Sequence, residues 1–380
     1  MDVRGELKLS DIRNSNTLTT ADGASDRRDW EPITDRSILP AHPTVFTWSV
    51  LAPTLREAYR RTAGQVNPPW PADGPLFDLV AGHPYQRSGL QLAADGETSG
   101  PGAQMTVWEL GSQGSRALET LLSAAAEQDT RLGRWYDRVR QTHWGQADLL
   151  QVMEEIESLG VGVQAAWMQL RLTRRAATAR VQQWQQTVWP DAAAPQVAAL
   201  TGHASPYAAT LAQAAAGGGA ATRASLLTTY GHRGPDEVEL AAPRWAEVAP
   251  GETFAWPAAI QPEWADLMER QRSAEQTLVG RASFFKRRGL EADVQRRRRI
   301  AEQLAAVDDA RARWLAGTRI WAVAAAQEAV ADGRITDPAD IFLLELEEVK
   351  QLMTGEWNIS HRTSLHELLD ERRREFARVT

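Results

Sequence analysis

From Ala147 to Trp189 the chain runs without a proline and holds a helical rhythm. Leu149, Met153, Ile156, Leu159, Val163, Trp167 and Leu170 step by three or four. Val181, Trp184 and Val188 resume the count before Pro190 stops it. Apolar residues at that spacing line one face of an α-helix. Proline at its end removes a donor and cannot extend it. A segment this long exceeds the usual range of a globular helix, which predicts the spine of a bundle or an arm. Gly160 and Gly162 inside it are places where it can bend.

The same periodicity governs most of the chain beyond residue 115. SRALETLLSAAAEQDTRLGRWYDRVR (115–140) is a second strong helix, and others are predicted at about 262–288, 291–317, 318–332, 339–353 and 362–378. Gly333 reads as a helix stop and Asp337-Pro338 as a start, with Asp340 in the first turn. Residues 199–219 read as a turn, a short helix and a glycine break, and 221–230 as another short helix. The stretch 231–250 is the least helical of the second half.

The N-terminal part differs. Residues 1–36 are polar with no sustained period and are expected to be a mobile tail. LAPTLREAYRRTAG (51–64) reads as the first helix, and NPPWPADGP (67–75) as a proline-rich connector. Residues 76–92 read as one short helix with room for a short strand, and 94–102 as a loop. The expected fold is mainly α, with a small mixed α/β segment over 37–110 and a body of long helices over 111–380. At 380 residues the chain can form one large domain with appendages or two closely joined domains. No repeat of fixed period is present.

Composition removes several functions. The net charge of −7 argues against a general nucleic-acid binder. With no cysteine there is no disulfide, thiolate metal site or cysteine nucleophile. No apolar run approaches the ~20 residues of a membrane helix, and the start MDVRGELKLSDIRNSN lacks a signal-peptide stretch. A cytoplasmic protein without membrane or nucleic-acid partners is expected. The basic runs KRRG (286–289) and RRRR (296–299) have acidic residues around them and read as a solvated face or a dock for an acidic partner. The 15 tryptophans either fill gaps between alanine-rich helices or line a pocket for a bulky ligand.

Familiar catalytic patterns are absent. GGG (217–219) has no following Lys-Ser/Thr, and there is no GxSxG or HExxH. The seven histidines are scattered, and no metal site is expected. The one dense polar constellation is Tyr230-Gly231-His232-Arg233-Gly234-Pro235-Asp236-Glu237-Val238-Glu239, with Pro243-Arg244-Trp245 shortly after it. The glycines allow an unusual turn or close ligand approach. His232 can act as a general base near neutral pH. Arg233 and Arg244 can hold phosphate or carboxylate, with Tyr230 and Trp245 beside them. Glu237 and Glu239 can orient the histidine or pair with the arginines. The same residues can equally form a structural turn in which His, Arg and Glu satisfy one another.

This segment resembles the "GHRGpgEleLaxPRWxEdP" stretch of the phosphoenolpyruvate synthase and rifampicin phosphotransferase family. Gly231, His232, Arg233, Gly234, Pro235, Glu237, Leu240, Pro243, Arg244, Trp245, Glu247 and Pro250 carry the match. Weaker similarities fall in the family's order: PTVFTWSVLAP (43–53), LFDLVAGHPYQR (76–87), ALTGHASPYAATLAQAA (199–215), DGRITDPADIFLLELEEVKQLMTG (332–355) and ERRREFARV (371–379). The family's enzymes join an ATP-grasp domain, a swivelling phosphohistidine domain and a central helical domain that presents the acceptor. This chain resembles only the central part. It has no GGxxSHxA motif, and the His of TGHAS (201–205) precedes its Ser and lies in the helical-domain pattern. Where the family usually carries an Arg-Glu pair and a basic residue, this chain reads AVDDARARWLAGTR (306–319).

The resemblance implies a stand-alone acceptor-binding subunit of a split phosphotransferase acting on a small or natural-product-like hydroxyl compound held among tryptophans. Separate ATP-grasp and phosphohistidine-carrier proteins would bring ATP and Mg2+, and this chain would hold no cofactor. His232 would deprotonate the acceptor, Glu237 would orient the imidazole, and Arg233 and Arg244 would stabilise the transferring phosphoryl group. The alternative is a non-catalytic ligand-binding or scaffolding protein derived from that domain.

Overall fold

The computed structural model describes residues 30–63, 76–87, 111–202, 205–216, 220–248, 264–356 and 362–379. The fold is mainly α with one small three-stranded sheet. The expected connector at 67–75, the loop at 94–102 and the glycine break at 217–219 lie outside the described residues.

Three long helices form the body: α2 (Gly111–Gln141), α3 (Gln146–Val188) and α8 (Phe284–Ala331). The 43-residue α3 falls where its apolar period places it. It runs antiparallel to α8, so that the Trp321 indole donates to the Leu149 carbonyl (2.9 Å), Trp314 to Ile156 (2.9 Å) and Trp184 to the Asp293 carboxylate (2.8 Å). Buried indole N–H groups need such acceptors. A Cβ at Gly160 would come within 2.3 Å of the Trp314 ring, and one at Gly317 within 2.3 Å of Trp135. The glycine in α3 thus admits a tryptophan from α8, and the glycine in α8 admits one from α2. The buried tryptophans are packing residues between alanine-rich helices.

The helices expected at 291–317 and 318–332 are one 48-residue α8, which also takes in the end of the helix expected at 262–288. The break falls at Ala282–Ser283, after α7 (Trp264–Arg281), and not at Gly289. An interior glycine costs a helix only about 1 kcal/mol. Burial of Leu290 and Val294 with Val181 and Leu278 outweighs that. The run Arg296–Arg299 is a solvated face only in part: Arg297 is buried, Arg299 is exposed, and all four are paired. Arg296 pairs with Asp293 (3.2 Å), Arg297 and Arg298 with Glu275 (2.8 and 2.5 Å), and Arg299 with Glu119 (2.7 Å).

Of the expected tail, residues 1–29 lie outside the described residues and 30–36 are ordered. β1 (Trp30–Pro32), β2 (Phe77–Val80) and β3 (His83–Arg87) form an antiparallel sheet of order β1–β3–β2. The expected helix within 76–92 is therefore a hairpin. Its two-residue turn, Ala81-Gly82, has φ of 49° and 75°, the positive values that tight hairpins require. A short apolar run does not by itself separate helix from strand. Residues 30–36, assigned to the tail, belong to the fold. Asp35 bridges to Arg171 (2.8 Å), and the buried Arg311 guanidinium donates to the Ser37 and Ile38 carbonyls (2.7 and 3.3 Å).

α1 (Val45–Ala63) packs on α3. Three short helices, α4 (Ala194–Thr201), α5 (Pro206–Ala215) and α6 (Ala220–Tyr230), lead to the polar constellation. Gly333 stops α8's trailing turn with φ of 63°, and Asp337 accepts the Ala339 N–H (2.9 Å) to start a 3-10 helix over Pro338–Leu343. The helix expected at 339–353 is thus this turn and then α9 (Leu346–Thr354). α10 (Arg362–Val379) returns to it, with Arg373 on Asp340 (2.6 Å) and Arg372 on Glu348. No helix among the described residues is long and apolar enough to cross a membrane.

Candidate functional site

The constellation begins where α6 ends. Residues 231–234 and 243–246 close on one another: the Trp245 N–H donates to the Arg233 carbonyl (2.7 Å) and the Ala246 N–H to Gly231 (2.9 Å). A Cβ at Gly231 would lie 2.4 Å from the Leu227 carbonyl oxygen, and one at Gly234 2.8 Å from that of Pro243. Close backbone approach is what these two glycines provide. The turn is fastened to the N-terminal end of α1 by buried Glu239, which accepts from the Thr44 and Thr47 hydroxyls (2.8 and 2.6 Å) and the Thr44 and Ala241 N–H groups (3.0 and 2.8 Å). Arg319 of α8 grips the other side through Glu247 and the Leu240 and Ala241 carbonyls.

Inside the turn, Arg233 is 2% exposed and meets three carboxylates. Its Nη2 donates to Asp308 (2.7 Å), Nε to Asp309 (3.2 Å) and Nη1 to Glu237 (3.2 Å), while the guanidinium lies over the Tyr207 ring at 4.2 Å. Burial alone would loosen its proton; the three acids outweigh that and raise its pKa above the ordinary arginine value. His232 donates from Nε2 to Asp309 (3.0 Å). Burial pushes the Asp309 carboxyl up, but His232, Arg233 and Arg313 outweigh it and hold the group below its usual range. Glu237 goes the other way: burial raises it against the pull of Arg233, and Asp308 adds to the rise. Asp309, not Glu237, therefore orients the imidazole. Neither Asp308 nor Asp309 was among the expected site residues, although both stand in the stretch where the Arg-Glu pair is missing.

Arg244 is equally buried at 2% but poorly partnered. Its Nη1 reaches the Asp236 carbonyl at 3.5 Å, and Nε and Nη2 have no partner among the described residues. Burial pushes its pKa down to about 10. Trp245 is a core residue, packed with Leu211, Ala214 and Leu226, and its indole donates to the Tyr207 hydroxyl (3.3 Å).

Beside the turn lies a cavity of about 460 Å³ between α5, α6, α7 and α8, whose wall includes Tyr207, Tyr230, Arg233, Met268, Arg272 and Asp309. Of the expected site residues, Tyr230 and Arg233 reach this wall. His232, Glu237, Arg244 and Trp245 do not. Among the described residues no tryptophan lines it; the aromatic faces are tyrosines. Among the described residues no group of three or more histidines and carboxylates is placed to hold a metal ion.

The site is thus a buried ionic knot on one wall of a small-molecule-sized cavity in a helical body. No protein-family model matches the chain, and a search of curated proteins finds no similar one.

Proposed function

We propose that this chain is the acceptor-binding component of a split phosphotransferase of the phosphoenolpyruvate synthase and rifampicin phosphotransferase kind. The acceptor is a small hydroxyl compound, and separate ATP-grasp and phosphohistidine-carrier chains supply the phosphoryl group with ATP and Mg2+. The observation that carries the reading is the cavity of about 460 Å³ with Arg233, Tyr230 and Asp309 on its wall, a size suited to a small molecule. The stretches that carry the resemblance also meet in space. Thr44 and Thr47 bond Glu239, the Leu346 N–H donates to Ser49 (2.8 Å), and Arg373 pairs with Asp340. In this reading His232, oriented by Asp309, takes the hydroxyl proton, and the Arg233 and Arg244 charges stabilise the phosphoryl oxygens, Arg244 from behind the cavity wall.

One observation favours a second reading, a non-catalytic ligand-binding protein. Every nitrogen of the Arg233 guanidinium already meets a carboxylate, and His232 stands off the cavity wall.

The test begins with metabolites retained by the chain isolated from its native cells, compared with an Ala305→Trp variant whose indole fills the cavity wall. A hydroxyl compound held by the first and lost from the second supports binding there. Nothing retained by either would remove both readings. Adding ATP with candidate ATP-grasp and phosphohistidine proteins should then phosphorylate the compound. His232→Gln should slow that step by ~10²–10⁴ with affinity unchanged. A compound that binds but is never phosphorylated would leave the second reading.

A further inference from the structure

The hairpin joining α7 to α8 ends in a surface unlike the rest of the molecule. Phe284 and Phe285 are 85% and 93% exposed, the only large apolar side chains so exposed among the described residues. Their rings meet edge to face with centroids 5.8 Å apart, making one wedge at the first turn of α8. Lys286, Arg287 and Arg288 come next, all exposed, and none of the three pairs with a carboxylate among the described residues. The contrast within one helix is informative, because each arginine of the 296–299 run, the exposed Arg299 included, pairs with a carboxylate of the protein. The other basic residues near the tip are also occupied, Arg281 by Asp191 and Arg180 by Asp293. Exposed Glu291, on the next turn, offsets part of the charge.

We infer that this tip docks on an anionic membrane surface. Aromatic rings settle at the headgroup level, and adjacent lysines and arginines meet lipid phosphates. A convex wedge of two rings needs no matching groove in a fluid interface, whereas a protein partner would need one. The chain as a whole carries −7, so a local positive tip also orients the molecule on approach. That no described helix can cross a bilayer does not bear on docking at its surface.

The experiment is co-sedimentation of the full chain with phosphatidylcholine vesicles, with and without phosphatidylserine. Binding is expected only to the anionic vesicles and should weaken with salt. Lys286→Glu/Arg287→Glu/Arg288→Glu should weaken it roughly a hundredfold or more, and Phe284→Ser/Phe285→Ser by about tenfold or more. Neither variant should change the melting temperature, since the side chains face solvent. Four results overturn the inference: no binding to anionic vesicles, equal binding to neutral ones, variants that bind like the parent, or a Phe variant that melts earlier. Concentration-dependent self-association lost in the Phe variant, without vesicle binding, would also overturn it and assign the tip to a protein contact.

Discussion

Arg233 and Arg244 are equally buried and electrostatically opposite. Arg233 neutralises three acids from two parts of the chain. Removing one partner of a buried charge set strands the others, so Arg233→Met should cost about 3–5 kcal/mol in chemical denaturation. Arg244 carries a buried charge with two nitrogens that find no partner among the described residues. Without a bound anion, Arg244→Met should be neutral or stabilising in the same measurement. A large loss there would show that the guanidinium is paired after all. Asp309 adds a pH dependence. Its folded-state pKa is depressed, so its stabilisation is present above the unfolded value and is lost as pH falls through the folded one. The stability gap between parent and Asp309→Asn should therefore be widest near neutrality and close below about pH 4. Circular dichroism melts across that range would check it. The turn residues Tyr230 and Arg233 were legible in sequence because glycines flank them. Of the acidic partners Glu237 was legible as well, but Asp308 and Asp309 were not, because nothing local says that residues on a distant helix turn toward that loop.

Among the elements, what was legible came from length and period. α3 was readable within a residue at each end, since its apolar stripe continues through Gly160 and Gly162 and Pro190 marks its end. α8 was read in pieces because Gly289 and Gly317 look like breaks to local propensity, while the tryptophan that needs Gly317 sits on another helix. The β2–β3 hairpin was hidden for a related reason: Ala81 takes a positive φ that alanine rarely adopts. The glycine contacts make a specific prediction. Gly160→Ala places a methyl against Trp314 and should cost about 1–3 kcal/mol through overpacking. Pairing it with Trp314→Phe, which removes the opposing ring atoms, should recover part of that loss in a double-mutant cycle. Strict additivity would mean that the two residues do not meet as described.

For the whole molecule, the sequence carries no recognisable nucleotide-binding motif. Purified alone, it should neither hydrolyse ATP nor become phosphorylated by it. Saturable micromolar ATP binding with turnover would count against the split-enzyme proposal. The mainly α class and the body of long helices could be read from periodicity. The cavity could not, because its wall joins four elements spread from Ser205 to Arg313. The unbroken α8 has one more consequence. The same rod carries the aromatic tip at Phe284 and, from Arg298 to Arg313, one side of the cavity. At 1.5 Å of rise per residue, the cavity stands ~20–40 Å along the rod from the tip. If the tip rests on a bilayer with the rod upright, the helix acts as a mast that sets a fixed stand-off. The compound that fills the cavity would then arrive from the aqueous side, not out of the lipid.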